Sequence, residues 1–393
     1  MISLDRYAAL FARPELRTAV LGSIVGRLPI GITGLSILLL GQRATGSFAQ
    51  SGLMTAAYVL GLAGIAPLLG RAIDHSGPRR VLLASAVVFP AALCALVLAT
   101  HVAPTVLLQS VLAFAAGASF PPITVCMRTF FRQRLREDSQ LAAAYSLESV
   151  LIELIFIVGP MLVALLVALA SPEAAVLLAA LCAAVGSVIF LRSSVLAGWR
   201  IEPRTARSLL GPLAERDFVA LLAVVLGYAS AFGLLEIGVT AYAAAAGHPA
   251  LAGLLLALMS TGSALGGLAY GSRSWAPPLV RQFSIALALI GVGMALLVPP
   301  SDAWLFALLC FVAGIVMAPA LTMQSMLVAR IASPRHATEA FTWSSTGLLS
   351  GVGLGMALGG WLAERWGWSA TFAAASIAGF GSAAFALLLR APR

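Results

Sequence analysis

Four ionisable side chains interrupt otherwise apolar stretches of the sequence: Arg27, Glu148, Glu153 and Glu236. Such groups cost roughly 2.5–3.5 kcal/mol each on insertion into a bilayer, and they face a partner or a water-filled cavity. Their types define the chemistry. A guanidinium is a forked anchor for a carboxylate or phosphate, and a carboxyl beside a cavity can exchange a proton. Counting about 1.5 Å per residue from the ends of these stretches, Arg27 lies about 15 Å deep, Glu153 about 16 Å, Glu148 about 9 Å and Glu236 about 27 Å along its stretch.

The elements that hold these groups are long and apolar. The chain has 393 residues, 61% hydrophobic and 10% charged, against roughly 45–50% apolar and about 25% charged in soluble proteins. Mean hydropathy is +1.00, so lipid is the solvent that suits most of the chain. Predominantly apolar stretches long enough to span number twelve, at 18–41, 52–73, 81–101, 104–127, 142–169, 173–191, 218–245, 250–271, 282–298, 303–329, 340–363 and 369–389. Their unbroken apolar character predicts helices, because a closed barrel alternates in short segments.

All 24 positive side chains are arginine. With loops assigned alternately to two sides, one side receives only Arg43 and Arg365, Arg27 stays inside the first span, and the other side takes all the rest. This excess predicts cytoplasmic termini in a bacterial inner membrane. The net charge of +9 comes from short clusters between apolar runs, which argues against nucleic acid as a partner. Cys94, Cys126, Cys182 and Cys310 each fall in a separate apolar stretch without metal spacing and read as buried thiols. The histidines fall in loops or at span ends and read as surface groups.

The longest polar segment, 192–217, carries five arginines and three acids. It divides the chain into an expected bundle at 1–191 and another at 218–393, joined by a cytoplasmic linker. The halves repeat. Phe114, Gly117 and Pro122 recur at an offset of 197 as Phe311, Gly314 and Pro319, and Ala144, Tyr145 and Gly159 at 196 as Ala340, Phe341 and Gly355. Parallel repeats let two bundles rock about a site near the bilayer midplane. Gly351, Gly355 and Gly359, and Gly262 with Gly266, give small-residue faces for close helix crossing.

Between the second and third spans, Gly70-Arg71-Ala72-Ile73-Asp74-His75-Ser76-Gly77-Pro78-Arg79-Arg80 fits G-x-x-x-D-[RK]-x-G-x-R-R except at His75. This resembles the loop signature of the major facilitator superfamily, and the twelve spans, central linker and repeated halves extend the resemblance over the whole chain. It implies an all-α membrane fold of twelve transmembrane helices in two pseudo-symmetric six-helix bundles, transporting by alternating access. It also implies a gating role for Gly70, Asp74, Gly77, Arg79 and Arg80. Physically, Gly70 allows close helix approach, Asp74 can meet a helix dipole or an arginine, and Gly77-Pro78 forces the turn. In the matching second-half segment Gly271 stands where Asp74 would align, so the latch is expected on one side. Gly159-Pro160 in the fifth span resembles the antiporter signature of drug exporters, with Ile155, Val163 and Ala164 in place of its flanking glycines. Ala113 stands at the position of an arginine that the family associates with proton coupling.

In this fold the first and fifth spans are neighbours, so Arg27 and Glu153 are expected to interact. Two roles are open to such a pair. One is a static bridge; the other is a site in which Arg27 binds an anionic or polar group while Glu153 or Glu148 takes a proton. Glu148 reads equally as a gate reaching Arg128 or Arg132, and Glu236 as site or outer gate. Tyr228, Phe232, Phe114, Phe120 and Phe311 lie on spans that line the cavity in the family, where they are substrate contacts or packing. Pro29, Gly31 and Gly34 soften the first span beside Arg27.

No HExxH, GxSxG or GxxxxGK[ST] occurs, so neither a membrane hydrolase nor an ATP-driven pump is expected, and no cofactor or metal. The favoured expectation is a monomer that exports a small organic or drug-like molecule in exchange for protons. The alternatives are proton-coupled or facilitated uptake of a sugar or organic anion, and a membrane scaffold or sensor that transports nothing.

Overall fold

A computed structural model describes residues 8, 10–12, 14–102, 105–193, 196, 199–201, 210–248, 251–298 and 302–389. Of the arginines assigned above to the crowded side, Arg6, Arg13, Arg204, Arg207, Arg390 and Arg393 lie outside the described residues. Twelve helical segments are long and apolar enough to cross a membrane. In order they are span 1 (Leu16–Thr45), span 2 (Gln50–Ser76), span 3 (Pro78–Val102), span 4 (Val106–Arg134), span 5 (Asp138–Leu169), span 6 (Pro172–Leu191), span 7 (Arg216–Ala245), span 8 (Leu251–Gly271), span 9 (Leu279–Leu296), span 10 (Ala303–Ile331), span 11 (Pro334–Trp366) and span 12 (Trp368–Ala386). Several run past their apolar stretches. Span 4 continues from the expected 127 to Arg134, because the arginines that end the apolar run are good helix formers.

Three spans are broken. Span 1 is two helices, Pro14–Arg27 and Pro29–Thr45, meeting at Leu28, where Pro29 has no N–H to continue the ladder but suits a first helical position. Span 4 divides into Val106–Ala118 and Ile123–Arg134 around Pro121 and Pro122. Span 10 divides into Ala303–Gly314 and Met317–Ile331. Spans 4 and 10 therefore each present a helix N-terminus, the positive end of its dipole, inside the bundle.

The repeat is visible as packing. In the first half span 4 crosses span 2 so closely that a Cβ at Gly117 would overlap the carbonyl oxygen of Tyr58; in the second, a Cβ at Gly314 would overlap that of Met259 on span 8. Gly159 brings span 5 onto span 1 at Gly31, and Gly355 brings span 11 onto span 7 at Ser230. Small residues serve helix contact where lipid supplies no hydrophobic drive for association. Across the halves span 5 packs against spans 8 and 10, and span 2 against span 11. Tyr145 and Phe341, which the repeat relates, meet edge-on with ring centroids 6.0 Å apart, so they flank the pseudo-twofold axis.

All four cysteines are free, and Cys126, Cys182 and Cys310 are buried. Cys94 departs from expectation and is exposed on span 3, whose outer surface carries Val87, Val88 and Leu98. On a helix apolar all round, composition does not say which side faces inward.

Candidate functional site

Arg27 ends the first helix of span 1, and its Nη1 lies 2.9 Å from Oε1 of Glu148 on span 5. Both side chains are 1% exposed. The sequence pairs Arg27 with Glu153, and the structure replaces that partner. Five residues at about 100° each turn Glu153 roughly 140° around the helix from Glu148, so only one of the two can face span 1. Glu153 instead accepts a 2.7 Å hydrogen bond from Ser263 of span 8. The Ser263 hydroxyl oxygen in turn accepts the N–H of Ala318 at 3.0 Å, in the first turn of Met317–Ile331. Glu153 is thus tied through one hydroxyl to the positive end of the half-helix in span 10.

A second arginine completes the cluster. Arg128, on the inner helix of span 4, is 8% exposed and within electrostatic reach of both Arg27 and Glu148. Its carbonyl oxygen accepts the Tyr145 hydroxyl at 3.2 Å. Two guanidinium groups and one carboxylate leave the cluster with one uncompensated positive charge. Its hydrogen bonding is also incomplete: Nε and Nη2 of Arg27, Nε of Arg128 and Oε2 of Glu148 are buried with no hydrogen-bond partner among the described residues. Buried donors in that state are costly.

The other predicted residues are dispersed. Tyr228 of span 7 is fully buried; its hydroxyl meets Oε1 of Gln324 on span 10, and Gln324 donates to Ser344 on span 11 at 2.6 Å. Phe232 packs edge-on against Tyr228 with centroids 5.5 Å apart. Phe120 packs in the same manner on Phe89 at 5.3 Å. Phe114 is exposed and Phe311 half-buried. Glu236 stands half-buried on span 7, and no hydrogen bond or ion pair among the described residues holds its carboxylate.

A set of bonds fastens the halves together toward the face on which span 1 starts and span 12 ends. Asp74, at the end of span 2, accepts the backbone N–H of Thr338 at 3.0 Å and of Glu339 at 2.8 Å. Both belong to the first turn of the long helix Ala337–Trp366, so Asp74 satisfies orphan donors at its positive end. Arg71 adds a 2.6 Å ion pair from Nη2 to Oε1 of the fully buried Glu339. Gly70 packs against Thr342. Arg79 and Arg80 are exposed at the start of span 3, outside this contact; the arginine in it is Arg71. In the pseudo-symmetric position the carbonyl of Gly267 accepts the Ser146 hydroxyl, a link of a different kind that lacks a carboxylate. Thr129 with Thr338 at 3.3 Å, Ser149 with Thr322 at 3.2 Å, Thr346 with the Ala63 carbonyl at 2.8 Å, and the Arg330–Asp138 ion pair extend the fastening.

Sequence reasoning missed Glu339, Ser263 and Gln324, and it named Arg128 only as a partner for a gating Glu148. The end of the apolar run at 127 assigns Arg128 to a loop, which hid its place in the buried cluster. Glu339 carried one usable signal, an acid in the first turn of a long apolar helix.

This architecture has known relatives. The chain matches the Major Facilitator Superfamily over residues 19–300 and 250–393, and it belongs to that family: it is a multi-pass membrane transporter of the twelve-helix type. No curated protein matches it significantly in sequence. Among solved structures it resembles the human organic anion transporter MFSD10 (TETRAN), at 18% identity over 95% of this chain and 99% of that one, TM-score 0.72. It also resembles a bacterial homologue of the iron transporter ferroportin in its outward-facing state, at 12% identity over 94% and 98%, TM-score 0.77. A third is the E. coli fucose:proton symporter FucP, at 13% identity over 98% and 100%, TM-score 0.71. At such identities the shared property is the fold.

Proposed function

We propose that this transporter exports a small organic anion across the inner membrane of a bacterium, with its arginine-rich face cytoplasmic. The reading is carried by the buried cluster of Arg27, Arg128 and Glu148 and its single excess positive charge. A carboxylate or phosphate monoanion entering it would neutralise that charge and accept the free N–H groups of both arginines, while Glu148 holds Arg27 in place. A drug-like cation would add a second excess charge to a site with little solvent.

Charge also suggests the driving force. The loaded cluster is neutral and the empty one positive, so a membrane potential negative inside draws the empty site inward. It contributes about 2.3 kcal/mol per 100 mV for the charge of the anion, and as much again for each proton that enters in exchange. Glu153 is the proposed proton-coupling group, since a proton on its carboxylate weakens the Ser263 link between spans 5 and 8 as the halves, 1–191 and 218–393, separate about the 192–217 linker. Gly159-Pro160 gives export no extra support, because Gly159 is required by the contact of span 5 with span 1.

The test is flux from proteoliposomes loaded with a panel of organic anions, sugars and cations. Anion exit is expected to accelerate when a potassium diffusion potential makes the lumen negative, and Arg128→Gln is expected to abolish it. Flux confined to cations or neutral solutes would refute the proposal. Anion accumulation driven by an acid exterior would assign uptake by symport instead.

A further inference from the structure

We infer that the protein carries a binding site for the headgroup of an anionic phospholipid, formed where the cytoplasmic-side ends of spans 3 and 6 meet the linker. A cavity of about 430 Å³ opens there, lined by Arg79, Arg192, Ser193, Leu196, Trp199 and Ile201 among others. Among the described residues no acidic side chain lines it, and two exposed guanidiniums, Arg79 and Arg192, do. The wall is built, because the linker is fastened at Arg200: Gln133 at the end of span 4 donates to its carbonyl at 3.0 Å and accepts its N–H at 3.1 Å.

Position selects a lipid over a soluble anion. Arg79 lies in the first turn of span 3 and Arg192 follows the last residue of span 6, and these two helices pack side by side. One turn deeper, at the four-residue spacing that keeps side chains on one helix face, Arg79 leads to Leu83 and Val87, and Arg192 leads back to Val188. All three are exposed. Phosphate at the arginines would therefore continue into acyl chains along an apolar strip, with Trp199 at the level where indoles favour the interface. Juxtamembrane arginines attract anionic headgroups in this way. The site lies apart from the buried cluster and does not depend on which solute is transported.

The experiment is native mass spectrometry of the full-length protein in detergent, titrated with phosphatidylglycerol, phosphatidylcholine or inorganic phosphate. Wild type is expected to retain phosphatidylglycerol over phosphatidylcholine. Arg192→Gln is expected to lower that retention about five-fold, and Arg79→Gln with Arg192→Gln to bring it to the phosphatidylcholine level. Equal retention of the two lipids by wild type, undiminished retention by the double variant, or displacement of phosphatidylglycerol by millimolar phosphate would each overturn the assignment. A second readout needs no arginine variant: brominated phosphatidylglycerol should quench wild-type tryptophan emission more than that of Trp199→Phe. Identical quenching removes the lipid from this cavity.

Discussion

Asp74→Ala is the perturbation whose size follows most directly from the geometry. The carboxylate accepts two N–H groups, at 3.0 and 2.8 Å, from the first turn of the helix Ala337–Trp366. Losing such a cap costs about 0.5–2 kcal/mol, and losing a negative charge at the positive end of the dipole about 0.3–1 kcal/mol more. Both contacts join one half to the other, so they exist only while the two halves are fastened at this face. Removing them should shift the equilibrium between fastened and separated forms by about 1–3 kcal/mol, or roughly 5–150-fold. Spin labels placed at Arg80 and Arg335, both exposed at this face and on opposite halves, would report it in a background with Cys94 replaced. Asp74→Ala is expected to populate a longer distance that is minor in the parent, and Asp74→Asn, which keeps one acceptor oxygen, a smaller fraction of it. An unchanged distance distribution in Asp74→Ala, or equal shifts in both variants, would show that these bonds do not set the equilibrium.

The buried ion pair should behave as a unit. Glu148→Gln leaves two buried guanidiniums without a counter-charge and should cost about 3–5 kcal/mol, Arg27→Gln leaves Glu148 the Arg128 guanidinium and should cost less, and the double variant should lose clearly less than their sum; additive losses in thermal unfolding would mean that the pair contributes nothing as a pair. Gly117→Leu and Gly314→Leu should both abolish folded yield, since a Cβ at either position overlaps a backbone carbonyl, while Gly34→Ala, with nothing within 4 Å of its Cβ, should stay within about 0.5 kcal/mol of the parent. Tolerance of leucine at either position would refute the close crossing. Ser263→Ala should cost about 1 kcal/mol and diminish the proton-driven part of transport while sparing the part driven by membrane potential. Loss of both parts alike would remove Glu153 from proton coupling.

The twelve spans were legible because a bilayer demands long apolar runs whatever the tertiary contacts, and the arginine asymmetry checked their number. The repeat was legible at Gly117 and Gly314 because close backbone crossing tolerates little else. What composition could not supply was rotation. Span 5 is apolar on nearly every side, so nothing in its pattern shows that Glu148 faces Arg27 while Glu153 faces Ser263. Arg128 was read only as a gate partner for Glu148, and not as part of a buried site, because its own charge marks the end of an apolar run that the helix outlasts. The break in span 4 has Pro121 and Pro122 to announce it, whereas that in span 10 falls between Gly314 and Met317 with no proline at the break itself.

The central claim is that the excess positive charge of the buried cluster holds an anion that the protein carries across the membrane. The measurement that tests it is the current produced when the anion found in the flux screen is jumped onto proteoliposomes fused to a sensor membrane. Wild type is expected to give a current with the sign of a translocated anion, and Arg128→Gln, which lacks the excess charge that holds the anion, is expected to give none. Electroneutral wild-type transport, or an undiminished current in Arg128→Gln, would contradict the account.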